Sequence, residues 1–107
     1  MAIIAKVLKE ALLTATITDT QYSPPALTRG FVRQCSVMNS TAGVVTLVTK
    51  AKLNAGGTFR TVITRNLAVN ETYPCFELLG LGVEPGGVIE WSGLNLELYC
   101  TGQEATT

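Results

Sequence analysis

Apolar and polar residues alternate along most of this chain, in short runs separated by turn residues. The clearest run is 94–101, where Leu94, Leu96, Leu98 and Cys100 fall on one side and Asn95, Glu97, Tyr99 and Thr101 on the other. A two-residue period of this kind predicts a strand with one buried face. Val45 and Leu47 alternate with Val44, Thr46, Val48 and Lys50, and Phe59, Thr61 and Ile63 alternate with Arg60, Val62 and Thr64. Both segments are rich in β-branched residues, which favour extended backbone.

The stretch Gly30–Leu53 reads as a hairpin, two strands reversing over Asn39-Ser-Thr-Ala-Gly43. Asn and Ser can hydrogen-bond their own backbone, and Gly tolerates positive φ. The first strand, starting near Leu27, has no clean apolar face. Phe31, Arg33, Cys35 and Val37 share one side, and Val32, Gln34, Ser36 and Met38 the other. A strand covered by the core on one side and by a partner on the other would look like this, as would a central strand of a thin sandwich. Arg33 and Gln34 are therefore candidate partner contacts.

Further reversals are predicted at Asn54-Ala-Gly-Gly57, at Glu84-Pro85-Gly86 as a type II turn, and at Ser92-Gly93. Strands are expected over Leu13–Thr18, Tyr73–Leu79 and Val88–Trp91, the second with Pro74 near its start, where a missing N–H costs least. The start of the chain is ambiguous. Ile3, Ile4, Val7, Leu8, Ala11 and Leu12 recur at helical spacing, yet no residue caps a helix, and an extended arm fits equally. Its apolar stripe needs a cover, either its own domain or a neighbouring subunit, which makes Ile3, Ile4, Val7 and Leu8 candidate partner-binding residues.

About seven or eight short strands with turn signals every eight to twelve residues predict an all-β fold, an antiparallel β-sandwich of jelly-roll type, with an immunoglobulin-like sandwich second. At 107 residues the chain is expected to form one domain. We divide it into an N-terminal arm or short helix (1–12), the sandwich (13–104) and a polar tail (105–107).

Composition narrows the function. Eight basic and eight acidic residues cancel, which argues against nucleic acid as a partner, since such binding draws on a net cationic face. The charges are nevertheless segregated: every basic residue lies between Lys6 and Arg65, and six of the eight acids lie from Glu71 onward. Either the strands interleave and mix the charges, or complementary patches dock neighbouring copies. No apolar run approaches a membrane span, and Lys6, Lys9 and Glu10 interrupt the start too early for a signal peptide.

Chemistry is scarce. The chain has no histidine, so acid–base work would fall to scattered carboxylates, of which Glu90 and Glu97 read as solvated strand positions. Cys35, Cys75 and Cys100 are odd in number and lack CxxC spacing, which predicts buried free thiols, a reducing place of folding and no metal. No cofactor motif is present, and no enzymatic activity is expected. Trp91 and Tyr99, on the last two strands, are candidates for an aromatic platform that binds glycan.

From about Leu13 to Glu104 the order of these signals resembles that of small β-sandwich virion proteins of tailed bacteriophages. The segments that carry the resemblance are Gln21-Tyr-Ser-Pro-Pro25, Val37-Met-Asn-Ser-Thr-Ala-Gly43, Val83-Glu-Pro-Gly-Gly-Val-Ile89 and Thr101-Gly-Gln-Glu104. The helical spacing of Ile3–Leu12 departs from that family's helix-free start. The resemblance implies a virion protein made and folded in the host cytoplasm. The expected role is head decoration (cement), with the major capsid protein and other copies of itself, as a homodimer or homotrimer, for partners. The alternative is a tail, fibre or baseplate domain that binds host-surface glycan.

Overall fold

The computed structural model describes residues 3–106. Nine strands form two antiparallel sheets, in the order β1 (Ile3–Leu12), β2 (Thr20–Tyr22), β3 (Thr28–Met38), β4 (Val45–Lys52), β5 (Arg60–Leu67), β6 (Thr72–Tyr73), β7 (Gly82–Val83), β8 (Val88–Ser92) and β9 (Glu97–Thr106). The first sheet runs β1-β9-β3-β6 with β7 also on β3, and the second runs β2-β8-β4-β5. The pairing is nested: β1 with β9, β2 with β8, β3 with β6, β4 with β5. Nesting of first with last, split between two sheets, is the jelly-roll arrangement.

The Asn39–Gly43 reversal exists, but it does not close a hairpin. β3 and β4 lie in different sheets, so the segment is a corner between them. Asn39 fixes that corner from inside, fully buried. Its amide donates to the carbonyls of Gly43 (2.8 Å) and Leu67 (2.9 Å), and its Oδ1 accepts from the Thr41 N–H (3.0 Å) and hydroxyl (2.6 Å). The hairpin in the fold is β4–β5, around Asn54–Gly57, where the Gly57 N–H donates to the Asn54 carbonyl. Ser92-Gly93 is likewise a passage from the second sheet to the first. The Glu84-Pro85-Gly86 turn forms as expected, with Gly86 at φ +85° and the Gly87 N–H donating to the Glu84 carbonyl at 2.9 Å.

Residues 3–12 are neither a helix nor a detached arm but the edge strand of the first sheet, paired with β9 along their whole length. A β-bulge between Val7 and Lys9 inserts Leu8 as an extra residue and turns it into the core, 8% exposed. One inserted residue changes the parity of the alternation, and the resulting sequence spacing mimics a helix. The expected tail also belongs to the sheet. Ala105 and Thr106 complete β9, while Met1, Ala2 and Thr107 lie outside the described residues.

Leu13–Thr18 and Tyr73–Leu79 are not strands. The first leads into a 3-10 turn at Ile17–Asp19, and the second holds only the end of β6 before a 3-10 turn at Phe76–Leu78. Cys75 precedes that turn at φ +47°, a left-handed conformation that ends the strand.

The core lies between the sheets, with Trp91, Leu47, Ile89 and Ile63 from one and Val32, Val37, Leu98 and Cys100 from the other. All three cysteines are free and buried. Cys35 faces Cys100 across β3 and β9, and hydrogen bonding with Cys100 and Cys75, followed by burial, pushes its thiol well above the usual range. Cys35 therefore keeps its proton, and the three buried side chains pack as small apolar groups. At one end, Tyr22 of the second sheet crosses to Glu104 of the first, donating from Oη at 2.6 Å, and Lys6 pairs with the same carboxylate at 3.1 Å. Gly30 lies beneath the Tyr22 ring, where a Cβ would come within 2.3 Å of the hydroxyl oxygen.

Candidate functional site

Among the described residues no element packs on the second side of the first sheet, and that side gathers most of the candidate residues. β9 runs through its middle with β1 and β3 on either side. The outward side chains form rows across the three strands: Ile3, Ala105 and Arg29; Ala5, Gln103 and Phe31; Val7, Thr101 and Gln34; Glu10, Tyr99 and Ser36; Leu12, Glu97 and Met38. Apolar side chains lie open in these rows, including Ile3 (63% exposed), Leu12 (60%) and Tyr99 (48%). Exposed apolar side chains grouped on one face mark interaction surfaces more often than isolated ones do.

A second bulge explains the mixed character of β3. Val32 pairs with Gly102 and Gln34 with Thr101, so Arg33 is an extra residue. Inward positions are therefore Thr28, Gly30 and Val32 before the bulge and Cys35 and Val37 after it. Arg33 and Gln34 both stay outside and exposed. The strand has one buried face whose parity changes once, so its pattern needs no covering on both sides. The two bulges flank the same step of β9, at Cys100–Gly102, and Gly102 is needed there: a Cβ would lie 1.9 Å from the Phe31 carbonyl oxygen.

The other candidates separate. Ile3, Ile4 and Val7 are exposed, with Ile4 on the side of the sheet toward the core but beyond its cover. Leu8 is withdrawn into the core and is not available to a partner. Trp91 is fully buried on the inner face of β8 in the second sheet, whereas Tyr99 is on the outer face of the first. They cannot form one aromatic platform, and the glycan reading loses the residues that suggested it. Tyr99, Leu12 and Met38, as members of one surface, were missed because the pairing that unites them joins the two ends of the chain.

The charges on the face are arranged by position. Arg29 pairs with Glu84 (2.7 Å), but Arg33, Glu10 and Glu97 take part in no ion pair among the described residues. Arg33 lies level with the middle of β9 and the two carboxylates toward its start. Shallow grooves follow this division, one beside Val7, Arg33 and Thr101, the other beside Glu10, Tyr99 and Glu97. Among the described residues no group of His, Cys, Asp or Glu is arranged to hold a metal ion, and no helix is long and apolar enough to cross a membrane.

No family model matches this chain, and no curated protein does. Among solved structures, the chain is similar to one from the structure of infectious bursal disease virus, Gt strain, at 15% identity and a TM-score of 0.29. That alignment covers 95% of this chain but 31% of the other, so this protein spans about a third of its length. A likeness of that degree carries no argument about function.

Proposed function

We propose that this chain is a virion structural protein that decorates a capsid, bridging major capsid subunits and associating with copies of itself. The observation that carries the reading is the uncovered outer face of the first sheet, with Ile3, Val7, Leu12, Met38 and Tyr99 exposed together on a rigid scaffold. A decoration protein needs a compact body and a surface to bury, repeated many times over a lattice, so that modest contacts add through multivalency. Ile3 and Ile4, at the far end of the edge strand, are the residues we assign to the shell.

The extended start of the chain also removes the departure from the phage-protein pattern that the helical spacing suggested. The role is structural rather than enzymatic, and its place is the virion. The test is co-sedimentation with assembled particles, with copy number measured against the major shell protein. A fixed stoichiometry that drops in an Ile3→Asp/Ile4→Asp variant of unchanged circular dichroism supports the reading. Absence from purified particles overturns it.

A further inference from the structure

We infer that the outer face of the first sheet is a two-fold interface between two copies of this chain, centred on Tyr99, with Arg33 of each copy against Glu97 of the other. The inference deepens the self-association in the proposed function and rests on it.

Position along β9 sets the geometry. Arg33 sits beside the Thr101–Gly102 step, Glu97 stands between Leu12 and Met38, and Tyr99 lies midway between these levels. Let a second sheet be laid on the first by a half-turn about an axis that lies in the plane of the face and crosses the strands at Tyr99. Each strand then covers its own counterpart, run in reverse. Tyr99 meets Tyr99, the level of Val7 meets the level of Leu12, and the level of Arg33 meets that of Glu97, one strand to the side and within reach of the long arginine. Both unpaired charges find opposite partners, twice each. The exposed aromatic falls at the centre, where interface hot spots concentrate.

The contact is small. With the axis at Tyr99 only the levels from Glu97 to Thr101 overlap, so the paired region is roughly 17 Å by 15 Å and removes on the order of 500 Å². That is below the size of a stable interface and fits a weak, transient contact whose register is set by the charges. A copy of the same face is a better occupant than an unrelated protein because the surface is complementary to itself only when reversed end for end. Glu10 falls on the axis, near its own symmetry mate at the rim, and is the one unfavourable pairing.

Charge reversal tests this on the purified chain. Arg33→Glu opposes two acids, and Glu97→Arg opposes two arginines, so each variant alone should associate at least about tenfold more weakly than wild type, since like charges suppress pairing. Mixed together, the two variants should form a heterodimer, because both contacts become attractive in the mixed pair only. Sedimentation equilibrium reads these masses, Tyr99→Ala should weaken association, and Glu10→Gln should strengthen it. A wild-type oligomer indifferent to both reversals overturns the face while leaving self-association standing. A wild type that is monomeric up to hundreds of micromolar overturns both, and particle co-sedimentation judges the virion role separately.

Discussion

Thr49 and Trp91 stand directly opposite each other on β4 and β8, and the hydroxyl of one and the indole N–H of the other are sealed in the core without a hydrogen-bond partner among the described residues. A buried polar group left unpaired costs about 1–3 kcal/mol. Replacing Thr49 by Val removes one such group at nearly constant shape. We expect Thr49→Val to raise stability by about 1 kcal/mol, or the melting temperature by roughly 5 °C, in reversible thermal unfolding. A loss of stability would mean that the hydroxyl has found a partner.

Gly102 and Gly43 should respond oppositely to the same change. At Gly102 a Cβ would collide with the Phe31 carbonyl and the Leu8 side chain, between two bulges that hold the neighbouring strands in place. Gly102→Ala should cost several kcal/mol and yield little folded protein. At Gly43 a Cβ meets nothing within 4 Å. Gly43→Ala should be neutral or stabilising by up to about 1 kcal/mol, because it restricts the unfolded chain. Denaturant midpoints of the two variants check the contrast.

Asn39 should be among the least replaceable polar residues. Asn39→Ala removes the side-chain donor shared by the carbonyls of Gly43 and Leu67 and the acceptor of the Thr41 N–H, leaving the Gly43 carbonyl with the Thr41 hydroxyl, inside a corner that joins the sheets. The expected loss is about 3 kcal/mol. Asn39→Asp keeps the acceptor but removes the donor, and should be destabilised as well; urea unfolding of both variants measures the two halves of the contribution.

Alkali should loosen the protein through Tyr22. Burial first, and then its hydrogen bond to Glu104, push the phenol far above its ordinary value of 10.0. A raised pKa in the folded state means that the stability is complete below the unfolded value and is lost as pH rises past it. Stability of the wild type should therefore fall with pH above about 10. Tyr22→Phe should start lower, having lost the contact with Glu104, and show a shallower decline. Equal slopes would place the alkaline sensitivity elsewhere.

On the acid side, Glu71 is the group to follow. The Ala68 N–H, and then Arg65, hold its carboxyl below the ordinary value of 4.5. Whatever it contributes is present above that value and is lost as pH falls through the lowered one. An NMR titration of the side-chain carboxyl should give a midpoint below 4.5, moving upward in Arg65→Met.

Much of the architecture was legible because most strands obey simple alternation. β9 showed its buried face at Leu98 and Cys100, although the strand starts only at Glu97 and Leu94 before it is exposed, and the Glu84-Pro85-Gly86 turn and the free buried cysteines were evident from residue type alone. What misled was local and physical. The bulge at Leu8 made an edge strand look helical, and the bulge at Arg33 made a one-faced strand look two-faced. The apparent hairpin at Asn39 failed for another reason: turn residues mark a reversal, but whether the chain returns to the same sheet depends on partners distant in sequence. The interaction face was hidden for that same reason, since Leu12, Tyr99 and Met38 meet only through the pairing of β1 and β3 with β9.

That nested pairing has a kinetic consequence. Among the described strands β1 is made before the others and pairs only with β9, which is made after them; Ile3 is matched with Ala105, about a hundred residues on. During translation β1 waits unpaired with its apolar residues in water, and β3 waits for the same central strand. The β4–β5 hairpin is the one pairing of long strands that forms without waiting for the last. Such a chain closes late and all at once, and folds slowly because its long loops must be ordered before any contact rewards them. Truncation near the C-terminus would then leave no partly folded domain, only an exposed β1 ready to pair with whatever edge it meets.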